Sequence, residues 1–287
     1  MESEIKQLTP EEYPELLKEI NDPPKKLYIK GELPPQEMKY LCVVGSRKYS
    51  SYGKDVCKTL IEGLRGYPIV IVSGLAIGMD SIAHESALEN GLTTIAVPGS
   101  GLSESVLHPK TNKELARKIV SSGGTMLSEF EKDFKATHYS FPQRNRVMAG
   151  MSHATLIIEA EEKSGTLITS KFATEYNRDV LTVPASIFSS NSFGPHMLLR
   201  LGATPIRNSH DILEALGFKP EEKQQSLNLE DLSDKEKKVI EVLSTPMERD
   251  ELIEKLDLPI QEINVTLSAM EIKGIIKESM GEMRIAG

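Results

Sequence analysis

The sequence predicts an α/β protein built on a doubly wound, mostly parallel sheet, followed by a small helical module with a β wing. Three observations carry that prediction. Short apolar runs alternate with helical stretches from Tyr40 to about Gly217, the pattern of βαβ crossovers. The first run, Leu41 to Val44, ends at Gly45 and turns into a helix that should begin near Gly53, as at the start of a nucleotide-binding α/β unit. Beyond a charged stretch, the last part of the chain reads as amphipathic helices and a hairpin.

Residues 1–39 form a lead-in segment. They offer a Thr9-Pro10-Glu11 helix start, a short amphipathic helix and a proline-rich approach to a strand at Leu27 to Ile29. The segment is too short to fold alone and should pack on the main domain.

The main domain spans 40–217. After LCVVG the predicted strands are 68–74, 93–99, 125–130, 154–160 and 179–185. The helical stretches between them are GKDVCKTLIEGL, MDSIAHESALEN, NKELARKIVSS and TLITSKFATEYN. In such sheets ligands bind off the carboxyl ends of the strands.

Residues 218–231, FKPEEKQQSLNLED, read as a linker. From 232 to 287, LSDKEKKVIEVLS, RDELIEKLD and PIQEINVTLSAMEIKG read as helices, and IIKESMGEMRIAG as a wing turning at Gly281. This is the pattern of a winged helix-turn-helix. Its recognition helix, Pro259 to Lys273, sets Glu262 and Glu271 against Lys273, which favours a protein contact over duplex DNA.

The bulk composition excludes several classes. A chain of 287 residues with 39% hydrophobic and 26% charged content is an ordinary globular protein. No apolar run approaches the roughly 20 residues of a spanning helix, and MESEIKQL is no signal peptide, so a cytoplasmic location is expected. Cys42 and Cys57 have no metal-ligand spacing and read as reduced core residues. A formal net charge of -8 argues against coating nucleic acid over the whole surface. A polyanion site must be a local pocket.

The loops at the strand ends supply one. Gly45-Ser46-Arg47 offers backbone amides, a hydroxyl and a guanidinium fork to a phosphate; the alternative is a tight turn in which Arg47 meets a carboxylate. The segment lacks both the G-x-G-x-x-G and the Walker spacing, so NAD and ATP are not predicted. Ser73-Gly74-Leu75, Pro98-Gly99-Ser100-Gly101, FPQRNR and EEKSGT follow later strands and should line the same groove. Arg144, Asn145 and Arg146 fall at a predicted helix start, where they face an anion or pair with Glu129, Glu159 or Asp80. Phe134, Lys135, His138, Tyr139, Phe141, Arg144 and Arg146 interleave rings and charges, as single-stranded nucleic acid requires. Asp80 and His84 lie at i,i+4 with no nucleophile nearby and read as scaffolding for the second loop.

At these residues the chain resembles the DNA-processing protein A (DprA/Smf) family. The matching stretches are VVGSRKYSSYG, SGLAIGMDSIAHESAL, TIAVPGSGL, LSEF, FPQRNRVMAGMSHATLIIEA and SGTLITSKFATEYNRDVLTVP, in the family's order. The resemblance implies a Rossmann-like fold and a cytoplasmic homodimer. It also implies single-stranded DNA binding in a basic pocket and loading of the RecA recombinase during natural transformation, without catalysis, metal or cofactor. The DNA-binding residues would be Gly45, Ser46, Arg47, Lys48, Lys135, His138, Phe141, Arg144, Asn145, Arg146, Ser164, Gly165 and Thr166. Ile77 stands where an arginine is common in the family, and the short N-terminal segment departs from members with a fuller helical domain.

The competing reading is a nucleoside-monophosphate phosphoribohydrolase on a related fold. KSGTLIT keeps Gly165 and Thr166 of that motif but has Thr169 where the catalytic glutamate belongs. Met197, Leu198 and Leu213 are candidates for a dimer surface, with core packing as the alternative.

Overall fold

The computed structural model describes residues 4–219, 232–243, 245–279 and 281–285. The chain divides into two compact units at residue 219. In the first, β1 (Ile5–Leu8), α1 (Glu15–Lys18) and β2 (Leu27–Lys30) precede β3 (Lys39–Val44), α2 (Ser51–Glu62), β4 (Ile69–Ser73) and α3 (Met79–Glu89). Next come β5 (Thr93–Ala96), α4 (Lys113–Ser121), β6 (Thr125–Ser128), α5 (Ser140–Met151), β7 (Ala154–Ile157) and α6 (Thr166–Glu175). The unit closes with β8 (Asp179–Thr182), α7 (Phe193–Arg200), β9 (Thr204–Pro205) and α8 (Ser209–Ala215).

The strands form one sheet in the order β1-β2-β6-β5-β4-β3-β7-β8-β9. Strands β3 to β9 pair in parallel, whereas β1 with β2 and β2 with β6 pair antiparallel. The lead-in therefore does more than pack on the domain. It supplies an edge hairpin whose outer strand β1 was not predicted, because Ile5 to Leu8 buries too little apolar surface to show a strand pattern.

Alternation along the central strands explains the layers, since successive side chains of a strand point to opposite faces. Leu41, Val43, Ile69 and Ile71 share one core with Cys57, Leu60 and Ile61 of α2, with Met79, Ile82 and Ala83 of α3, and with Ile212 of α8. Cys42, Val44, Val70 and Val72 share the other with Leu17 of α1, Val147 and Met151 of α5, and Leu198 of α7. Both thiols are fully buried, and burial pushes their pKa values up to about 12.

Helix starts shift relative to the sequence reading. The cap of α2 is Ser50, whose hydroxyl accepts from Gly53 N at 3.1 Å, so the helix begins at Ser51 rather than near Gly53. For α5, Thr137 N donates to Ser140 Oγ at 3.0 Å and Ser140 N to Thr137 Oγ1 at 3.3 Å. That exchange starts the helix at Ser140 and moves Arg144 to Arg146 beyond its first turn, outside the reach of the macrodipole penalty. Leu198 and Leu213 are core residues, at 5% and 4% exposure, and Met197 packs against the same layer as Leu198.

In the second unit, α9 (Asp234–Val242), β10 (Met247–Glu248), α10 (Arg249–Lys255), α11 (Ile260–Ile272), β11 (Ile276–Ser279) and β12 (Glu282–Ile285) surround Val239, Leu252, Ile263, Leu267, Met270 and Met283. The strands run β10-β12-β11, with Gly281 at φ 80° in the wing turn. Most of the predicted linker, 220–231, lies outside the described residues. The acidic residues of α11 are matched inside the unit, Glu262 by Lys235 at 2.6 Å and Glu271 by Arg249 at 3.7 Å. The helix presents Ile260, Val265 and Ile272 to solvent.

Candidate nucleic-acid interface

The chain order reverses between β3 and β7, and a cleft opens at their carboxyl ends, as expected at such a switch point. Its volume is about 450 Å³. The turn after β3 lines one side with Gly45, Ser46, Arg47 and Lys48. The loop after β7 and the start of α6 line another with Glu161, Lys163, Ser164, Gly165 and Thr166. Phe141, Pro142, Arg144, Asn145 and Met148 of α5 line it too, as do Ala76 and Asp80 after β4, with Val44 at the end of β3 and Ile168 and Thr169 of α6.

The turn after β3 is held from beneath. Buried Ser46 accepts from Lys48 N at 3.0 Å through Oγ and from Met79 N at 3.2 Å through its carbonyl. Gly78, at φ 88°, comes so close that a Cβ there would lie 2.7 Å from Arg47 Cα; only glycine accepts both the conformation and the contact. Arg47 and Lys48 are exposed. No carboxylate lies within ion-pair distance of Arg47 among the described residues, although its charge, after that of Arg144, acts on Asp80; its guanidinium carbon stands 5.5 Å from the centroid of the Phe141 ring, within cation–π range.

The N-terminus of α2 meets an anion supplied by the protein itself. Buried Glu159 accepts from Ser50 N at 2.9 Å, Ser50 Oγ at 2.5 Å and Asn191 Nδ2 at 3.3 Å. A Cβ on Gly53 would fall 2.4 Å from its carboxyl group. An internal anion thus holds the position that an external one would take. The helix start that borders the cleft is that of α6. It has no acidic residue in its first turn, its Thr166 Oγ1 donates to Gly45 O at 3.1 Å, and Asn145 Nδ2 donates to Gly165 O at 3.3 Å.

The two arginines of FPQRNR are largely engaged by protein groups. Arg144 is 5% exposed and donates through Nη1 to Gly74 O and Val97 O and through Nε to Asn145 Oδ1. It thereby ties the ends of β4 and β5 to α5. Burial pushes Asp80 up from the ordinary carboxylate range, and the Arg144 charge opposes that shift. Arg146 lies away from the cleft lining: it meets Glu129 Oε2 at 2.5 Å and Asp22 O at 2.7 Å, and so fastens the lead-in to the sheet domain. Lys135 and His138 are exposed in the loop before α5, beside the cleft lining but not part of it.

His84 is scaffolding, but its partner is Thr94 and not Asp80. Nδ1 lies 2.8 Å from Thr94 Oγ1, and burial drives the imidazole down to about 3. It is neutral at physiological pH. Sequence reasoning missed Lys163 and Glu161, although both belong to the EEKSGT loop that it did select. It also missed the clamp by Glu159, for which a glycine at the third residue of α2 is the available signal.

Fold and cleft define the class: a doubly wound α/β domain with exposed cations at its switch-point cleft, joined to a winged-helix module. The family model described as DNA recombination-mediator protein A matches residues 5–217, and that of the DprA winged helix domain matches 223–282. Protein Smf of Escherichia coli is 35% identical over 92% of this chain and 72% of its own length. DNA processing protein DprA of Streptococcus pneumoniae is 40% identical over 72% of each chain, and its crystal structure superposes with a TM-score of 0.69 over 76% of this chain and 75% of that one, at 38% identity. A solved DNA processing protein A from Helicobacter pylori, described for its single-stranded DNA binding mode, gives 0.65 at 31% identity, over 75% of this chain and 98% of that one. The chain belongs to the DprA/Smf family.

Proposed function

We propose that the chain is a non-enzymatic, cytoplasmic protein that binds single-stranded DNA in the switch-point cleft, protects it, and loads RecA onto it during natural transformation. The observation that carries the reading is Arg47: an exposed guanidinium at the cleft, with no carboxylate in ion-pair contact among the described residues and set against an aromatic ring. Lys48 and Lys163 add charge beside it, and the H. pylori relative supports the choice of strand. RecA loading rests on family membership alone. No described helix is long and apolar enough to cross a membrane.

A homodimer is part of the proposal. Exposed Ile187 and Leu201 border a concavity of about 900 Å³ that Phe193 and Met197 also line, and Phe188 beside it is 93% exposed. Such a patch is unusual for a surface that meets only water.

The test is titration of oligo-dT against wild type and Arg47→Ala at two salt concentrations. Binding that weakens with salt in the wild type, and drops in the variant, supports the cleft. Salt-independent binding, or an unaffected variant, refutes it. The hydrolase reading draws on Asp80, a carboxylate at the cleft, but Asp80 accepts from Ala76 N at 3.3 Å and lies beside Arg144. Release of adenine from AMP would favour that enzyme.

A further inference from the structure

We infer that Tyr139 is a base-stacking platform that extends the DNA track beyond the cleft; the inference rests on the single-stranded DNA reading above. Tyr139 is the residue before α5 and is 84% exposed. Among the described residues its hydroxyl has no hydrogen-bond partner and its ring no ring partner. Its backbone is nevertheless anchored. The carbonyl accepts from Gln143 N at 3.4 Å, and the adjoining Ser140 Oγ donates to Gly99 O at 2.6 Å. A ring on a fixed backbone, with two side-chain torsions to order, loses little entropy when a base covers it.

The other rings of the segment are engaged. Phe141 packs so closely on Gly99 that a Cβ there would lie 2.6 Å from its Cδ1. Arg47 stands over its ring, and His108 leans against it at 5.7 Å. Phe130 and Phe134 stack on each other at 4.6 Å. A free ring in water gains from covering by any base, because every base has a π face. Exposed Lys135 and His138 lie on the same loop, where phosphates on either side of that base would meet them. The contact is tolerant of sequence and insensitive to salt, unlike that of Arg47.

The chain contains no tryptophan, so Tyr139→Trp places a lone indole reporter in the full-length protein. Saturating oligo-dT should quench its emission, and an abasic strand of the same length should not. Tyr139→Ala should weaken oligo-dT binding about tenfold, within the range for one stacked base, with the salt slope and melting temperature of the wild type; Tyr139→Phe should bind as the wild type does. Unchanged affinity in Tyr139→Ala, or unchanged emission at saturation, overturns the proposal while leaving the cleft intact. Failure of the wild type to bind oligo-dT overturns both.

Discussion

Glu159 reaches across from the end of β7 to Ser50 and accepts both its amide, at 2.9 Å, and its hydroxyl, at 2.5 Å. One buried carboxylate thus fixes the start of α2 and, through it, the turn that carries Arg47 and Lys48. Glu159→Ala leaves these half-buried donors without their protein acceptor. Each lost hydrogen bond costs about 0.5–1.5 kcal/mol, and a fall in melting temperature by differential scanning fluorimetry is expected. Gly53→Ala, which drives a methyl into the same carboxyl group, should lower it too.

Arg144→Ala should act on folding before it acts on binding. The change strips a buried guanidinium from Gly74 O and Val97 O and removes the larger of the two positive charges, Arg144 and Arg47, that act on Asp80. Each buried carbonyl left without its donor costs about 1–3 kcal/mol, measurable by urea unfolding. Arg47→Ala removes an exposed side chain and should leave the urea midpoint within error.

Salt dependence separates the cations. If Arg47 neutralises one phosphate, Arg47→Ala should reduce the slope of log affinity against log salt by about 0.7, the value for a single-stranded phosphate contact. Arg146→Ala, whose side chain lies between Glu129 and Asp22, should keep the wild-type slope. Filter binding across a salt series distinguishes the two.

The winged-helix unit carries an acid-sensitive fastening. The Lys273 ammonium, with the amide and hydroxyl of Ser233, lowers Glu236 from 4.5 to about 2. A carboxylate depressed in the folded state stabilises above its unfolded value and loses that contribution as pH falls through its folded one. The loss should run from about pH 4.5 down to about 2. Lys273→Met should be less stable at neutral pH and flatter across that window, as read by circular dichroism melts.

The sheet domain was legible because its strands are buried on both faces, so LCVVG and its successors stand out as unbroken apolar runs. Strand β1 was hidden by the polar pair Lys6 and Gln7. Of the strand-end clusters, Gly45-Ser46-Arg47, FPQRNR and EEKSGT supply residues to the cleft lining, whereas Ser73-Gly74-Leu75 and Pro98-Gly99-Ser100-Gly101 do not: Gly74 O is taken by Arg144, and Phe141 packs on Gly99. What could not be read was which cations face outward. Arg144 and Arg47 look alike in sequence; the difference lies in the carbonyls of Gly74 and Val97, which surround the first and not the second. The charge balance of α11 was hidden for the same reason, since Lys235 and Arg249 stand next to its glutamates only in the folded unit.

The hairpin of β1 and β2 seals the flank of β6 with antiparallel partners. A fragment cut just before Tyr40 would keep every cleft-lining residue, yet it would bare a ladder of unsatisfied amides and carbonyls, a template for sticking to its own copies. Whoever trims this protein for crystals or binding assays should leave those first residues attached.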